Sequence, residues 1–564
     1  MQKHQVRGIA ALIAGSGFAV GDAAAQPTVE DWLLPQTGLW SDEASWANGD
    51  VPDTLDEIAR ISPDPGEGLG TPAALVDQSF TIEALEGSGI LDIVIQQNGS
   101  LAVGSLIQGT GPEPLRVIVG DETPVPRFSP ANRDPIPVFG RGSSSARGEA
   151  SLELIGTGDS RTGRANLNNV QIRLAGPASE LIASEETRIR SDSVIAGAGR
   201  IFGSFVNSGR IVAQSSPDGE VITIDGAEIR GSGVLTAEQS AELRFEGASV
   251  IGGIVDAADG KVEIRDSDFR FTEMRGFDRG VAVRSPSTFT DVVLDSSVEL
   301  LVGSSLRYTA TDGVFLSQGD LLIRRSGRLD FDDTPENALI IDGGTITLDS
   351  GWVTAQADDD VYIFPGATIE GSGRVSANVV NLGDIDARIV DPEFPRSAFT
   401  IESDLTQLGL GRISTGIAQR LLPEPGPIEL QNVVVDGDVV LGGELFVEYF
   451  AIDRGLFVGQ PFTVLLARGS DSQIIGEFDR VVVDALFPGV SPFPRVEYAD
   501  TEVRVTVFCR ADVNRDGLVA PNDFAAWVAA FNAGDPLADQ NGDGMVAQND
   551  LNAWVVNFQD GCRD

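Results

Sequence analysis

Two twelve-residue segments near the end of the chain place oxygen-bearing side chains at matching intervals. The first runs from Asp512 to Asp523 and the second from Asp539 to Asp550. In each segment, positions 1, 3, 5 and 12 are Asp or Asn, and position 6 is a glycine that permits a sharp bend. This is the spacing with which one loop surrounds a hard cation. Because the two copies are in register and 27 residues apart, chance is a poor explanation for them.

Calcium is the cation that such a set of oxygen ligands predicts, and a backbone carbonyl at position 7 would complete each set. We therefore expect two calcium ions per chain. The predicted ligands are Asp512, Asn514, Asp516, Leu518 and Asp523 in the first loop, and Asp539, Asn541, Asp543, Met545 and Asp550 in the second.

Each loop is followed by one apolar segment with helical spacing. Spacings of three and four residues put each set of apolar side chains on one helical face. The pattern predicts two short helices that pack together as the core of a small domain. The residues are Phe524, Trp527 and Phe531 after the first loop, and Leu551, Trp554 and Phe558 after the second.

The start of the chain predicts export. Lys3 and Arg7 precede an apolar run from residue 9 to about residue 20, and three alanines at 23–25 form a cleavage site. A membrane anchor is the alternative, but the run is too short to span a bilayer. In an oxidising environment, Cys509 and Cys562 are expected to form a disulfide around both loops. Free thiols or a zinc pair are the alternatives to this disulfide.

The composition excludes several kinds of chemistry. The chain has 84 acidic and 40 basic residues and a formal charge of −44, so nucleic acid and anionic membranes are not expected partners. The only histidine, His4, lies in the predicted signal peptide. The mature chain therefore cannot use an imidazole base, a Ser-His-Asp triad or histidine-ligated zinc.

The long middle part of the chain is rich in glycine turns and in short alternating runs of Val, Ile and Leu, which predicts strands. Residues 194–213 also align without a gap with residues 368–387. Repeats of about 20 residues are typical of the coils of a parallel β-helix, in which each coil needs a neighbour to bury its inward face. The matching residues are Gly197, Gly199, Arg200, Val206, Asn207, Gly209 and Ile211 in the first copy, and Gly371, Gly373, Arg374, Val380, Asn381, Gly383 and Ile385 in the second.

We therefore expect a mainly β protein, a right-handed parallel β-helix or solenoid with a C-terminal β cap, followed by a small α-helical module. Residues 1–25 are the predicted signal peptide, 26–430 the β-helix with an N-terminal cap, 431–508 a C-terminal β module, and 509–564 the calcium-binding domain. A proline-rich stretch at about 121–148 breaks the strand rhythm. It is interpreted as a surface insertion, with a functional lid as the alternative.

The segment 38–61 resembles the paired-tryptophan motif that begins many autotransporter-like and planctomycete β-helical proteins. The resemblance implies that this segment caps the first coil and covers an open strand edge. Sugar binding by stacking is the alternative role for its tryptophans. The residues that carry the motif are Gly38, Trp40, Trp46, Gly49, Pro52 and Asp56.

Residues 509–564 resemble a type I dockerin, in which each EF-hand-type loop is followed by a single helix. The ending Gly561-Cys562 and the cysteine before the first loop resemble the GC-type dockerin of planctomycete-like secreted proteins. The resemblance implies a cohesin-like or cell-envelope protein partner. In cellulosomal dockerins, loop positions 10 and 11 contribute to cohesin recognition, and this chain lacks the usual Ser-Thr pair there. The residues at these positions are Pro521, Asn522, Gln548 and Asn549.

These features favour a secreted, non-catalytic, structural or adhesin-like protein of the cell surface, anchored or assembled through its calcium-dependent module. Dockerins elsewhere are attached mainly to polysaccharide-degrading enzymes, so the resemblance leaves two alternatives open. One is a glycoside hydrolase or polysaccharide lyase, with Asp332-Asp333 or Asp358-Asp359-Asp360 as candidate acids. The other is a carbohydrate-binding protein that uses an exposed tryptophan. The candidates for that role are Trp32, Trp40 and Trp352.

Overall fold

The structure is a computed structural model. It describes residues 28–33, 38–54, 57–61, 73–87, 92–96, 100–109, 115–119, 150–154, 165–214, 221–276, 280–295, 298–300, 304–309, 314–316, 319–331, 338–355, 360–388, 398–419, 428–450, 459–485 and 494–560. The predicted signal peptide at 1–25 and the predicted insertion at 121–148 lie outside the described residues.

The described chain is mainly β, with a long sheet of parallel strands and two helices near its C-terminus, which confirms the predicted class at this level. The strands of its first part are β1 (Thr28–Asp31), β2 (Gly38–Leu39), β3 (Glu57–Ile61), β4 (Ala73–Val76), β5 (Ser79–Gly87), β6 (Asp92–Ile95), β7 (Ser100–Gly109), β8 (Leu115–Val119), β9 (Ala150–Leu154), β10 (Asn166–Asn168), β11 (Val170–Ile189), β12 (Val194–Asn207) and β13 (Arg210–Gln214).

The central strands are shorter and follow one another closely. They are β14 (Val221–Asp225), β15 (Glu228–Arg230), β16 (Val234–Glu238), β17 (Glu242–Glu246), β18 (Ser249–Ile251), β19 (Ile254–Asp256), β20 (Lys261–Arg265), β21 (Asp268–Arg270), β22 (Glu273–Arg275), β23 (Val281–Val283), β24 (Ser287–Thr290), β25 (Val293–Asp295), β26 (Val298–Leu300), β27 (Ser305–Thr309), β28 (Val314–Leu316), β29 (Asp320–Ile323) and β30 (Arg328–Phe331).

The last part of the body combines parallel and antiparallel strands. They are β31 (Ala338–Asp342), β32 (Thr345–Thr354), β33 (Asp360–Ile363), β34 (Thr368–Ser376), β35 (Asn378–Asn381), β36 (Asp384–Asp386), β37 (Phe399–Ile401), β38 (Leu405–Gln407), β39 (Arg412–Gln419), β40 (Ile428–Gln431), β41 (Val433–Val435), β42 (Val439–Leu441), β43 (Glu444–Phe450), β44 (Pro461–Ala467), β45 (Ile474–Gly476), β46 (Arg480–Ala485), β47 (Arg495–Tyr498) and β48 (Glu502–Thr506).

In the central part, each strand pairs in parallel with the strand three places further along the chain. Glu242 of β17 lies opposite Lys261 of β20, 19 residues later. Three such rows run side by side. They are β14–β17–β20–β23–β26, β15–β18–β21–β24–β27 and β16–β19–β22–β25. The two strands between consecutive members of a row supply the crossover connection that parallel pairing requires.

A smaller parallel sheet joins β28, β31, β33, β35, β38, β42 and β45. Parallel pairing extends across the predicted boundary at residue 430, because β39 pairs with β43 and β43 pairs with β46. Antiparallel pairs occur beside it, between β39 and β40 and where β48 lies between β44 and β47.

Inward-facing side chains alternate with outward-facing ones along the strands, and the inward set forms one continuous core. An aromatic column within it comprises Phe245, Phe269 and Phe289. The ring centroids of Phe245 and Phe269 are 5.1 Å apart, and those of Phe269 and Phe289 are 5.4 Å apart. The Phe245–Phe269 contact links two neighbouring rows, whereas Phe269 and Phe289 lie opposite each other within one row.

The two copies of the repeat have the same local structure. Gly197 and Gly371 have φ of +114° and +97°, and a Cβ at either position would lie within 2.3 Å of a carbonyl oxygen of the preceding strand. In both copies an asparagine accepts a hydrogen bond from the glycine two residues later: Asn207 from Gly209 at 3.0 Å, and Asn381 from Gly383 at 3.1 Å. The repeated glycines therefore mark close backbone approach.

The tryptophans of the N-terminal motif are buried. Trp40 and Trp46 are 0% and 1% exposed, and their ring centroids are 4.9 Å apart. Trp32 packs edge-on against Trp46 at 5.0 Å. The alternative in which Trp32 or Trp40 binds sugar is therefore wrong, because neither ring is accessible. Asp56 of this motif lies outside the described residues.

The two helices are α1 (Pro521–Ala533) and α2 (Asn549–Asp560). Proline at the first position of α1 fits because that amide has no partner within the helix, and Gly534 ends the helix at φ +65°. In the part of the chain that is described, neither helix has the length and apolar character needed to cross a bilayer.

Candidate calcium loops

The first loop follows the body directly. β48 ends at Thr506, and the residues between it and Asp512 include four with exposed fractions of at most 3%. These four are Val507, Phe508, Cys509 and Ala511. A Cβ placed on Gly459, beside β44, would lie 3.3 Å from the Cα of Gly517. The first loop is therefore packed against the end of the β body.

Within the first loop, acidic side chains accept hydrogen bonds from the backbone amides of the loop itself. Asp512 accepts from Gly517 at 2.9 Å, and Asp516 accepts from Leu518 at 2.9 Å. Asp523 is 0% exposed. It accepts from Asn514 at 3.1 Å and from Ala520 at 2.8 Å.

The second loop repeats these contacts at equivalent positions. Asp539 accepts from Gly544 at 2.9 Å, and Asp543 accepts from Met545 at 2.9 Å. Asp550, also 0% exposed, accepts from Asn541 at 3.2 Å and from Ala547 at 2.7 Å. The sequence repeat is therefore also a repeat of backbone geometry.

The position-5 carboxylate accepts three hydrogen bonds in each loop. In the first loop, Asp516 also accepts from the amide groups of Asn514 and Asn522, both at 3.1 Å. The hydrogen bond from the backbone N–H of Leu518 has the largest effect on the pKa of Asp516. Together with the two side-chain hydrogen bonds, it holds this pKa below its usual range. The equivalent bonds lower the pKa of Asp543 in the second loop.

Position 11 thus has a role within the loop that sequence reasoning missed. Asn522 and Asn549 were expected to contribute to partner recognition, and both are exposed, but each side chain also donates to the position-5 carboxylate of its own loop. Pro521 and Gln548, at position 10, are exposed at the helix starts. Partner recognition at these four residues stays a prediction.

Burial and like charge raise the pKa of Asp512 to about 6, although the bond from Gly517 opposes the shift. The neighbouring carboxylates that contribute are Asp523 and Asp516, so three acidic groups of this loop face a common region. Among the described residues, none of the six loop aspartates forms a salt bridge with arginine or lysine. Arg515, within the first loop, interacts electrostatically with Asp512 without forming such a pair.

The donor chemistry fits a hard cation, since each loop offers carboxylate, amide and backbone oxygens. However, across the described chain no group of three or more His, Cys, Asp or Glu side chains is arranged as a ready metal centre. Instead, the carboxylates point at the amides of their own loop. Calcium binding at the ten predicted ligands therefore stays a prediction.

The helices pack on each other as predicted. Trp527 and Trp554 are 4% and 6% exposed, and their ring centroids are 6.4 Å apart. Phe531 and Phe558 lie 5.1 Å and 4.9 Å from the tryptophan of their own helix. Phe524 is 42% exposed and only borders this core, which Val513 and Ala538 complete.

Gln540, at position 2 of the second loop, links three parts of the module. Its side chain donates to the carbonyl of Arg510 at 2.8 Å and accepts from Asn557 of α2 at 3.1 Å. Arg510 donates to the Gln540 carbonyl at 3.1 Å. The first loop has the apolar Val513 at the equivalent position, which is the only sequence signal that could have indicated this difference.

Cys509 forms a disulfide. Cys562 is the only other cysteine of the sequence, and it lies outside the described residues together with Gly561.

The candidate catalytic acids do not form a described site. Asp332, Asp333, Asp358 and Asp359 lie outside the described residues. Asp360 begins β33, where it accepts from the side chain of Asn378 on the next strand at 3.1 Å. This contact gives Asp360 a role in holding neighbouring strands together.

No protein-family model matches this chain, and no curated protein matches it either.

Proposed function

We propose that the protein is a secreted, non-catalytic component of the cell surface, structural or adhesin-like, whose C-terminal dockerin-like module binds two calcium ions and attaches it to a cohesin-like or cell-envelope protein. The body in this proposal is a right-handed parallel β-helix. The three rows of parallel strands and the 19-residue step between Glu242 and Lys261 support that architecture.

One observation carries the calcium proposal: both loops hold their acidic side chains through equivalent hydrogen bonds. The two segments share eight of their twelve residues, and each has a buried aspartate at position 12 with the same two amide donors. Asp523 and Asp550 have these donors at 2.7–3.2 Å. Bound calcium would neutralise the crowded carboxylates and would make the fold of the module depend on the ion.

Calcium titration calorimetry on the full chain tests this step. The wild-type protein should bind two ions, Asp523→Asn and Asp550→Asn should each bind one, and the double variant should bind none. Asp535→Asn is the matched control, because Asp535 is an exposed aspartate that caps a turn outside both loops. Absence of calcium uptake by the wild-type protein at millimolar calcium would reject the proposal.

Attachment requires a separate test. The full chain, immobilised, is incubated with solubilised native cell envelope in calcium or in EDTA. A partner protein retained only with calcium, and lost in the double variant, supports the proposed attachment. Equal retention in EDTA would show that attachment does not depend on the calcium loops.

A further inference from the structure

Two arginines without an ion pair lie close together on the outer surface of the body. Arg188 is near the end of β11 and Arg190 directly follows this strand, and the buried Ile189 between them places both side chains on the outer side. Most arginines on the surface of the body bond a carboxylate, as Arg210 bonds Glu238 at 2.8 Å. Within the described parts of the chain, neither Arg188 nor Arg190 has such a partner.

The neighbouring strands add amide groups whose hydrogen-bonding capacity is also unused. Leu167 of β10 lies opposite Ile189, so Asn168 lies beside Arg190 in the sheet. On its other side, Asn168 lies opposite Gln108 of β7. As far as the described residues go, the side chains of Gln108, Asn168 and Arg190 form no hydrogen bond. Three polar side chains therefore lie in a row on adjacent strands, about 4.8 Å from one to the next, with unused donor and acceptor groups.

A cavity of about 430 Å³ opens beside this row. Its size lies within the range of small-molecule sites in proteins, about 300–1,000 Å³. Asp192 is the one acidic group among the described lining residues, and its Oδ1 already accepts from the backbone amide of Asn169 at 3.0 Å and from the hydroxyl group of Ser193 at 3.3 Å. Glu186, the acidic residue of β11 nearest to Arg188, is not among the lining residues. The described lining residues are Asn166, Asn168, Arg190, Ser191 and Asp192.

The internal repeat shows that the fold does not require these polar groups. In the turn after β11, the amide of Ser193 donates to the carbonyl of Arg190 at 3.0 Å. In the turn after β33, the amide of Ala367 donates to the carbonyl of Phe364, also at 3.0 Å. The two turns are therefore equivalent, although one has an arginine and the other a phenylalanine. The counterparts of Asn166, Asn168, Arg188 and Arg190 in the second copy are Ile340, Asp342, Tyr362 and Phe364.

We propose that the Arg190 cavity, formed by the five lining residues above, binds a uronate unit of an acidic polysaccharide. The guanidinium group of Arg190 binds the carboxylate of the sugar, because its planar set of N–H donors matches a carboxylate. Asn168, Ser191 and Asp192 bond the ring hydroxyls, since amide, hydroxyl and carboxylate groups together supply donors and acceptors. An acidic peptide would leave this second set of groups unused. The proposal is independent of the calcium module.

Calorimetric binding of three ligands to the full chain tests the proposal: trigalacturonate, a neutral trisaccharide of galactose, and triglutamate. EDTA is present throughout, so that calcium cannot bridge carboxylates of protein and ligand. We expect trigalacturonate to bind, and the other two ligands to bind more weakly by about tenfold or more. Arg190→Gln should lower the affinity for trigalacturonate by about tenfold or more, and Asn168→Ala should lower it less. Arg468→Gln is the matched control and should leave the affinity unchanged, because Arg468 is another exposed arginine that directly follows a strand and, among the described contacts, has no ion pair.

Chemical modification of arginine supplies an independent readout. Phenylglyoxal reacts with accessible guanidinium groups, and mass spectrometry of peptides follows each arginine separately. Trigalacturonate should slow the modification of Arg190 in the wild-type protein and leave that of Arg468 unchanged.

Three results would overturn the proposal. Absence of trigalacturonate binding at millimolar concentration would reject it outright. Equal affinity for the neutral trisaccharide or for triglutamate would overturn the proposed ligand class. Equal affinities of Arg190→Gln and Arg468→Gln, or an unchanged rate of Arg190 modification at saturation, would overturn the proposed site.

Discussion

Replacing Asp523 with Asn distinguishes two roles of this residue, as a predicted calcium ligand and as a cap at the start of α1. Asp523 lies in the first turn of α1 and accepts from the amides of Asn514 and Ala520. This reach back to the residue before the helix stabilises the helix start even without a metal. Asn keeps the shape of the side chain but removes the charge, so the two roles respond differently to calcium.

The expected magnitudes follow from the contacts. Asn can accept only one of the two amide bonds, and losing a bond to a charged acceptor costs about 1.5–3 kcal/mol. Burial and the neighbouring carboxylates raise the pKa of Asp512 to about 6. Removing the charge of Asp523 relieves part of the repulsion on Asp512, which offsets part of this cost. In EDTA we expect a net loss of about 1 kcal/mol in the opening free energy of α1. Calcium at a hundred times its dissociation constant should raise the opening free energy of the wild-type site by about 2.7 kcal/mol. The variant should lack this additional stabilisation.

Hydrogen exchange of peptides from α1 and α2, with calcium and with EDTA, measures these free energies locally. Asp535→Asn removes a charge outside the loops and should cost the same small amount in both conditions. If Asp523→Asn loses equal free energy with calcium and with EDTA, then Asp523 is a helix cap alone and the calcium reasoning is refuted.

Three further predictions concern the β body. Phe269→Ala should lower the free energy of unfolding by about 3–5 kcal/mol, because it empties the middle of the aromatic column; urea denaturation measures this, and exposed Phe271→Ala should cost less than about 0.5 kcal/mol. Gly371→Ala should cost more than Gly366→Ala in the same assay, since both have positive φ but only at Gly371 would a Cβ meet a carbonyl oxygen, at 2.3 Å; equal costs would contradict the close approach. Burial opposes ionisation of Glu263, but hydrogen bonds from Arg284 and Arg265 outweigh it and lower the pKa below the usual 4.5. The ionised form therefore stabilises the fold above about pH 4.5, and this contribution disappears as the pH falls through the lower folded pKa. Glu263→Gln should thus cost more stability at pH 7 than at pH 3, which thermal unfolding at both pH values checks.

The residues that predicted the fold from sequence are those with local requirements. Gly197 and Gly371 repeat because each backbone passes a carbonyl of the preceding strand too closely for a side chain. The alternating runs predicted strands, and the spacing of Trp527 and Phe531 predicted a helix, because both periodicities reflect burial of one face. These signals lie within a few residues of each other in the chain.

The features that could not be predicted from the sequence depend on contacts between residues that are far apart in the chain. Tryptophan is buried at Trp40 and exposed at Trp352, because the packing of neighbouring strands decides the accessibility of each side chain. The link from Gln540 to Arg510 and Asn557 joins residues 30 and 17 positions apart. The donation of Asn522 to Asp516 also depends on how the loop closes onto the helix.

The direct passage from β48 into the first loop has a mechanical consequence. The carbonyl of Val507 accepts a hydrogen bond from the amide of Gly459, and the chain then continues through buried residues to Asp512. Tension applied to the module would therefore reach β48 through the C-terminal end of that strand. β48 is held by antiparallel ladders to β44 and to β47. Pulling along such a strand loads all of its ladder hydrogen bonds together, so the end of the body would yield by shear and not by opening one bond at a time.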